Sequence, residues 1–166
     1  MQYKAMFSIA FAAMVLGGCA TTRPTARPDR PIPTVPAVAV PESAAELAFM
    51  ALSLVGTPYA SGGSSPATGF DCSGFVVYVY ARALQVRMPR STSELAHAGV
   101  PVARGDLQPG DLVFHNTQGQ PFSHVGIYLG EMRFVHAPST GGAVRVADMR
   151  LDYWTRRFDG GRRIAF

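Results

Sequence analysis

Cysteine is scarce: the 166-residue chain has two, Cys19 and Cys72. A small fold held by a network of disulfides is therefore excluded. Long apolar runs are also missing. The most apolar stretch, Ala5 to Leu16, is too short to span a bilayer as a stable helix. No internal repeat recurs along the chain, which excludes solenoid and propeller architectures. Charge is sparse too, with 16% charged residues and a formal net charge of +4. Of that charge, Lys4 supplies +1, and Arg23, Arg27 and Arg30 against Asp29 supply +2. The rest of the chain, eleven arginines against ten acidic residues, carries only +1. No basic stripe is evident, so a nucleic-acid partner is not expected. Arg156, Arg157, Arg162 and Arg163 cluster near the C-terminus and read as a solvated edge.

Residues 1–18 have the pattern of an export signal: a short segment with one positive charge, an apolar core, then small residues. The run Leu16-Gly17-Gly18-Cys19 resembles the bacterial lipobox, whose cysteine is acylated and becomes the mature N-terminus. The resemblance implies a lipid-anchored protein, since several acyl chains on one cysteine suffice for stable attachment. Ala20 rather than an aspartate follows the cysteine. By enterobacterial sorting rules this implies the periplasmic face of the outer membrane rather than the inner membrane. Residues 19–41 carry Pro24, Pro28, Pro31, Pro33, Pro36 and Pro41. Frequent proline removes amide donors and favours extended structure, so this segment reads as a semi-stiff spacer. Residues 42–166 have the size of one domain.

Within that domain, apolar residues at Leu47, Met50, Ala51 and Leu54 predict an amphipathic helix over Ser43–Val55, with Ser43 and Glu46 in a capping-box pattern. A glycine-rich loop leads to Asp71, and Cys72–Leu84 is apolar nearly all round, which predicts a buried helix. Ser91 and Glu94 predict the cap of a short helix. Beyond Gly110 the pattern changes to short β-rich runs, Asp111–His115, His124–Leu129, Arg133–Ala137 and Ala143–Ala147, with a last strand expected at Arg163–Phe166. Helices first and strands afterwards predict an α+β fold with helices packed on an antiparallel sheet.

If Cys19 is the lipid attachment point, Cys72 has no disulfide partner within the chain. It would open a helix, where exposed amides and the dipole favour a thiolate, and a nearby histidine could take the proton. Asp71 is expected to cap that helix. Ser73 and Gly74 allow close approach of backbone to substrate, and the Cys72 amide is a natural oxyanion donor. Four histidines compete for the role of base. His97 is expected on the surface near a helix end and His115 at the periphery of a strand end. His124 begins a strand after a loop, and His136 lies on the strand expected to pair with it. Cys72 is therefore assigned as nucleophile, His124 as base and His136 as the group that orients it. A Cys/His/His zinc site is the alternative, but the order of the residues and the helix placement of Cys72 fit a nucleophile better.

Six motifs in order, Gly56-Thr57-Pro58-Tyr59 with Gly62-Gly63, Asp71-Cys72-Ser73-Gly74-Phe75, Pro89-Arg90, Pro109 to Phe114, His124 to Tyr128 and His136-Ala137, resemble the NlpC/P60 cysteine peptidases. The resemblance covers essentially all of residues 43–166. It implies a papain-like α+β fold, no cofactor, and cleavage of amide bonds in peptidoglycan stem peptides or crosslinks. It also implies that His136 occupies a third catalytic position that varies among His, Asn and Gln. Tyr59 is carried over as an oxyanion or substrate hydroxyl, and Arg90 as a clamp for a substrate carboxylate. His115 departs from the family, many of whose members have an aromatic or apolar residue there. A catalytically silent lipoprotein that only binds wall peptides, and an acyltransferase on the same scaffold, stay open as alternatives. The sequence identifies no regulatory protein partner.

Overall fold

The computed structural model describes residues 41–139 and 141–165. The signal segment 1–18, Cys19 and the spacer up to residue 40 lie outside the described residues. The first helix, α1 (Glu42–Ser53), buries Ala44, Leu47 and Ala51. Its start differs from the expected capping box: Pro41 is the N-cap and no side chain caps the helix. Proline preorganises the entry angle without supplying an acceptor, and this displaces the serine cap. A two-stranded hairpin, β1 (Ser64–Ser65) with β2 (Gly69–Phe70), fills the loop before the cysteine.

Helix α2 (Cys72–Leu84) has the bounds read from the sequence. Asp71 caps it by accepting from the Gly74 amide at 2.7 Å, satisfying one of the orphan donors of the first turn. A Cβ at Gly74 would collide with the Gly63 carbonyl oxygen, so glycine there lets the helix start pack directly on the preceding loop. Helix α3 (Thr92–Leu95) carries the capping box expected of Ser91 and Glu94.

The main sheet has six antiparallel strands in the order β3-β8-β4-β5-β6-β7. They are β3 (Val100–Val102), β4 (Leu112–His115), β5 (His124–Gly130), β6 (Arg133–His136), β7 (Arg145–Asp148) and β8 (Phe158–Arg163). The last strand thus lies earlier than the expected Arg163–Phe166, and β7 begins two residues later than read. Both faces of the sheet are covered. Leu112, Phe114, Val125, Ile127 and Val135 pack with Leu47, Phe75, Val76 and Val79 of the helices. On the other face Val113, Tyr128 and Phe134 pack with Met149 and with Trp154 of the short helix α4 (Asp152–Thr155). Arg163 is not simply part of a solvated edge: it donates to both oxygens of buried Asp111, at 2.9 and 2.8 Å. Among the described residues no helix is long and apolar enough to cross a membrane.

Candidate active site

Cys72 is half-buried and has no disulfide partner among the described residues. It shares a cleft of about 380 Å³ with Tyr59, His124, His136, Arg145 and Trp154. The two histidines come from neighbouring strands. His124 opens β5, and the β5–β6 pairing places His136 alongside it. Their rings stand nearly perpendicular, with His124 Nε2 and His136 Nδ1 2.7 Å apart. That bond occupies one nitrogen of each ring and leaves Nδ1 of His124 for the thiol. Gly126, two residues along β5, makes room for the pair: a Cβ there would lie 2.6 Å from the Phe134 ring and 2.7 Å from the Val135 carbonyl oxygen.

Burial dominates the electrostatics. It pushes the Cys72 thiol above its ordinary value, and the negative charge of Asp71 adds to that; the amides of Val125, Ser73 and Cys72 itself oppose it. Burial, with the Arg145 charge second, takes His124 down to about 4. His136 falls to about 2 through burial first, then His124, Arg145 and His115. Burial therefore favours a neutral thiol and neutral imidazoles over an ion pair in this cleft. The sequence-based expectation of a favoured thiolate considered the helix terminus but not desolvation, which is larger here.

Asp71, Ser73 and Arg90 form a network among themselves and are not part of the cleft lining. The Arg90 guanidinium binds Asp71 bidentately, at 2.9 and 2.7 Å, and donates to Ser73 Oγ at 2.8 Å. The carboxylate this fork holds in the structure is thus internal. Burial alone would raise the Asp71 carboxyl; Arg90, the Gly74 amide and Ser73 outweigh it and keep it below its usual range. Tyr59 does line the cleft, tied by its amide to the Gly142 carbonyl at 2.8 Å.

His97 is exposed, as expected. His115 is not peripheral: it is fully buried, stacked on Phe134 and edge-on to Trp154 and Phe158. The correction has a physical cause. α4 lays Trp154 over the sheet face that the strand pattern alone would leave open. Trp154, Tyr153 and Arg145 were not picked out as site residues, because they reach the cleft through α4 and β7. Among the described residues no group of three or more His, Cys, Asp or Glu is arranged to hold a metal ion. The two histidines bond each other instead of converging on a common point.

A thiol at a helix start, with a coupled histidine pair on an antiparallel sheet, defines the papain-like α+β class. Residues 56–163 match the NlpC/P60 family, and the chain belongs to it. Over 113 residues it is 44% identical to the murein DD-endopeptidase MepH of Escherichia coli (strain K12), covering 66% of this chain and 42% of that protein. It is also 44% identical over 110 residues to the gamma-DL-glutamyl hydrolase of Bacillus subtilis (strain 168), covering 66% of this chain and 26% of that one. The chain thus spans less than half the length of either relative. The crystal structure of the NlpC/p60 domain of the peptidoglycan hydrolase SagA superposes with a TM-score of 0.64 at 32% identity, covering 73% of this chain and 98% of that one.

Proposed function

We propose that this chain is a cysteine peptidase that hydrolyses amide bonds in peptidoglycan stem peptides or crosslinks. The observation that carries the reading is the placement of Cys72, at the start of α2, in one cleft with the bonded His124–His136 pair. Proton transfer from Cys72 Sγ to His124 Nδ1 makes the thiolate, while His124 Nε2–H donates to His136 Nδ1 and fixes the ring. The thiolate attacks the carbonyl carbon, and the Cys72 amide stabilises the oxyanion. His124 returns its proton to the departing amine, leaving a thioester. Water then gives a proton to His124 and attacks the thioester carbon. The acid leaves and the thiol reforms.

The name murein DD-endopeptidase supports this class of substrate, and the name gamma-DL-glutamyl hydrolase, at equal identity, points to a γ-glutamyl amide. The family resemblance offers two bonds, D-glutamate–diaminopimelate and the D-alanine–diaminopimelate crosslink, and both stand as proposed substrates. The N-terminal pattern supports attachment through acylated Cys19 at the periplasmic face of the outer membrane, with the proline-rich spacer between anchor and domain.

The test is digestion of purified peptidoglycan by the mature chain, with mass spectrometry of the released muropeptides identifying the bond. Cys72→Ala should release nothing above background, and undiminished release would end the proposal. Release of new amide products when an amine acceptor is added would instead identify an acyltransferase. Binding without release by the unaltered chain would identify a silent wall-binding protein.

A further inference from the structure

Arg145 begins β7 as the direct cross-strand partner of His136, so the two side chains share a face. It lines the cleft together with Cys72 and His124. Among the described residues its side chain makes no ion pair and no hydrogen bond. The nearby carboxylate on its own strand, Asp148, is engaged by Arg150 at 2.7 Å. Arg90, Arg133, Arg156 and Arg163 have Asp71, Glu131, Asp152 and Asp111 as partners. No acidic residue lines the cleft, and burial keeps its imidazoles neutral. Among the described residues the cleft therefore carries one formal charge, an exposed guanidinium beside the reacting groups.

We infer that Arg145 receives a free carboxylate carried by a residue adjoining the scissile amide, so that the site selects acidic peptides over their amidated counterparts. The inference rests on the peptidase reading above and names the feature of the substrate that the cleft recognises. A planar guanidinium matches a carboxylate bidentately, and the pairing is strongest where part of the solvent is excluded. Stem peptides supply the complement. A γ-linked D-glutamate keeps its α-carboxylate free, and diaminopimelate keeps one next to its crosslinking amine. Either lies close to the bond to be cut.

The pairing has a second effect. The Arg145 charge adds to burial in disfavouring a protonated His124. A carboxylate seated on the guanidinium cancels that charge just when His124 must take the thiol proton. Recognition of the acid thus favours the reactive pair as well as the complex, and both KM and kcat depend on it.

Two measurements test this, using the mature chain and synthetic crosslinked stem peptides. One peptide has its carboxylates free, one has the D-glutamate α-carboxylate amidated, and one has the diaminopimelate carboxylate amidated. In turnover, Arg145→Gln should lower kcat/KM on the acid by roughly 10–100-fold, as expected for a charged hydrogen-bonded pair. It should not lower kcat/KM on the discriminated amide, where no carboxylate offsets the Arg145 charge beside His124, and Arg145→Lys should recover part of the loss on the acid. In calorimetry, which needs no turnover, Cys72→Ala protein should bind the acid more tightly than one of the amides, and adding Arg145→Gln should abolish that preference. Equal binding of all three peptides by Cys72→Ala overturns the inference even if turnover is normal. Absence of turnover by the unaltered chain, with an Arg145-dependent preference retained, overturns the peptidase reading and leaves the inference standing.

Discussion

Among the described residues neither ring nitrogen of His115 has a hydrogen-bond partner, although the residue is fully buried. Its environment is aromatic: Phe134 stacks on it with centroids 4.9 Å apart, and Trp154 meets it edge-on. Burial, then the charges on His124 and Arg104, takes its pKa down to about 3. The folded state therefore binds no proton at His115 until well below the pH at which the unfolded chain does. The stability this implies is complete above the ordinary histidine pKa of about 6.5 and is lost as pH falls toward 3. At pH 5 the loss is on the order of 2 kcal/mol for this residue. His115→Leu, which cannot titrate, should therefore narrow the difference in denaturant-derived stability between pH 7 and pH 5 by about that amount. An unchanged difference would show that His115 is protonated or solvated in the folded protein. His124 and His136 were legible in the sequence because their positions relative to turns and strands bear on chemistry. His115 was not, since its surroundings depend on which element covers the far face of the sheet.

At the scale of the element, the strongest constraint is the close approach of β6 to β5. Gly126 faces Phe134 and His136, and a methyl group there would also press on the Val135 backbone. Gly126→Ala must displace β6 or tilt its rings. The cost expected is about 1–3 kcal/mol, seen as a lower melting temperature. Activity should fall further than stability does, because His136 moves relative to His124; activity retained at the level of the unaltered chain would refute this account. The same contrast explains what sequence patterns revealed. Helix α2 was legible to the residue, since an aspartate cap and an apolar run both mark it. Strand β8 was displaced in the reading because Gly160 and Gly161 resemble a turn. In the structure Gly161 lies in the sheet, where a Cβ would meet the Leu107 side chain at 2.7 Å. Strand β3 and helix α4, three and four residues long, are too short for periodicity to register. Because α4 leaves no such signal, Tyr153 and Trp154 do not stand out as cleft residues in the sequence.

For the whole molecule, reach and reactivity are set by different parts of the chain. If acylated Cys19 is the anchor, Cys19→Ser should move the protein from the membrane fraction to the soluble fraction. Cleavage of small soluble muropeptides should be unchanged, because the described residues that line the cleft, Cys72, His124 and His136 among them, all belong to the domain. Retention of the variant in washed membranes would exclude the lipid as the attachment. The burial that favours the protonated Cys72 thiol has a further consequence under the proposed export of the chain. Oxidants and foreign disulfides react with thiolates far faster than with thiols. A single sulfur kept protonated by its own burial is therefore poorly susceptible to sulfenic acid formation and mixed disulfides. If the chain is exported as proposed, its resting thiol should resist oxidants and be modified faster while substrate is being turned over, which mass spectrometry after peroxide treatment checks.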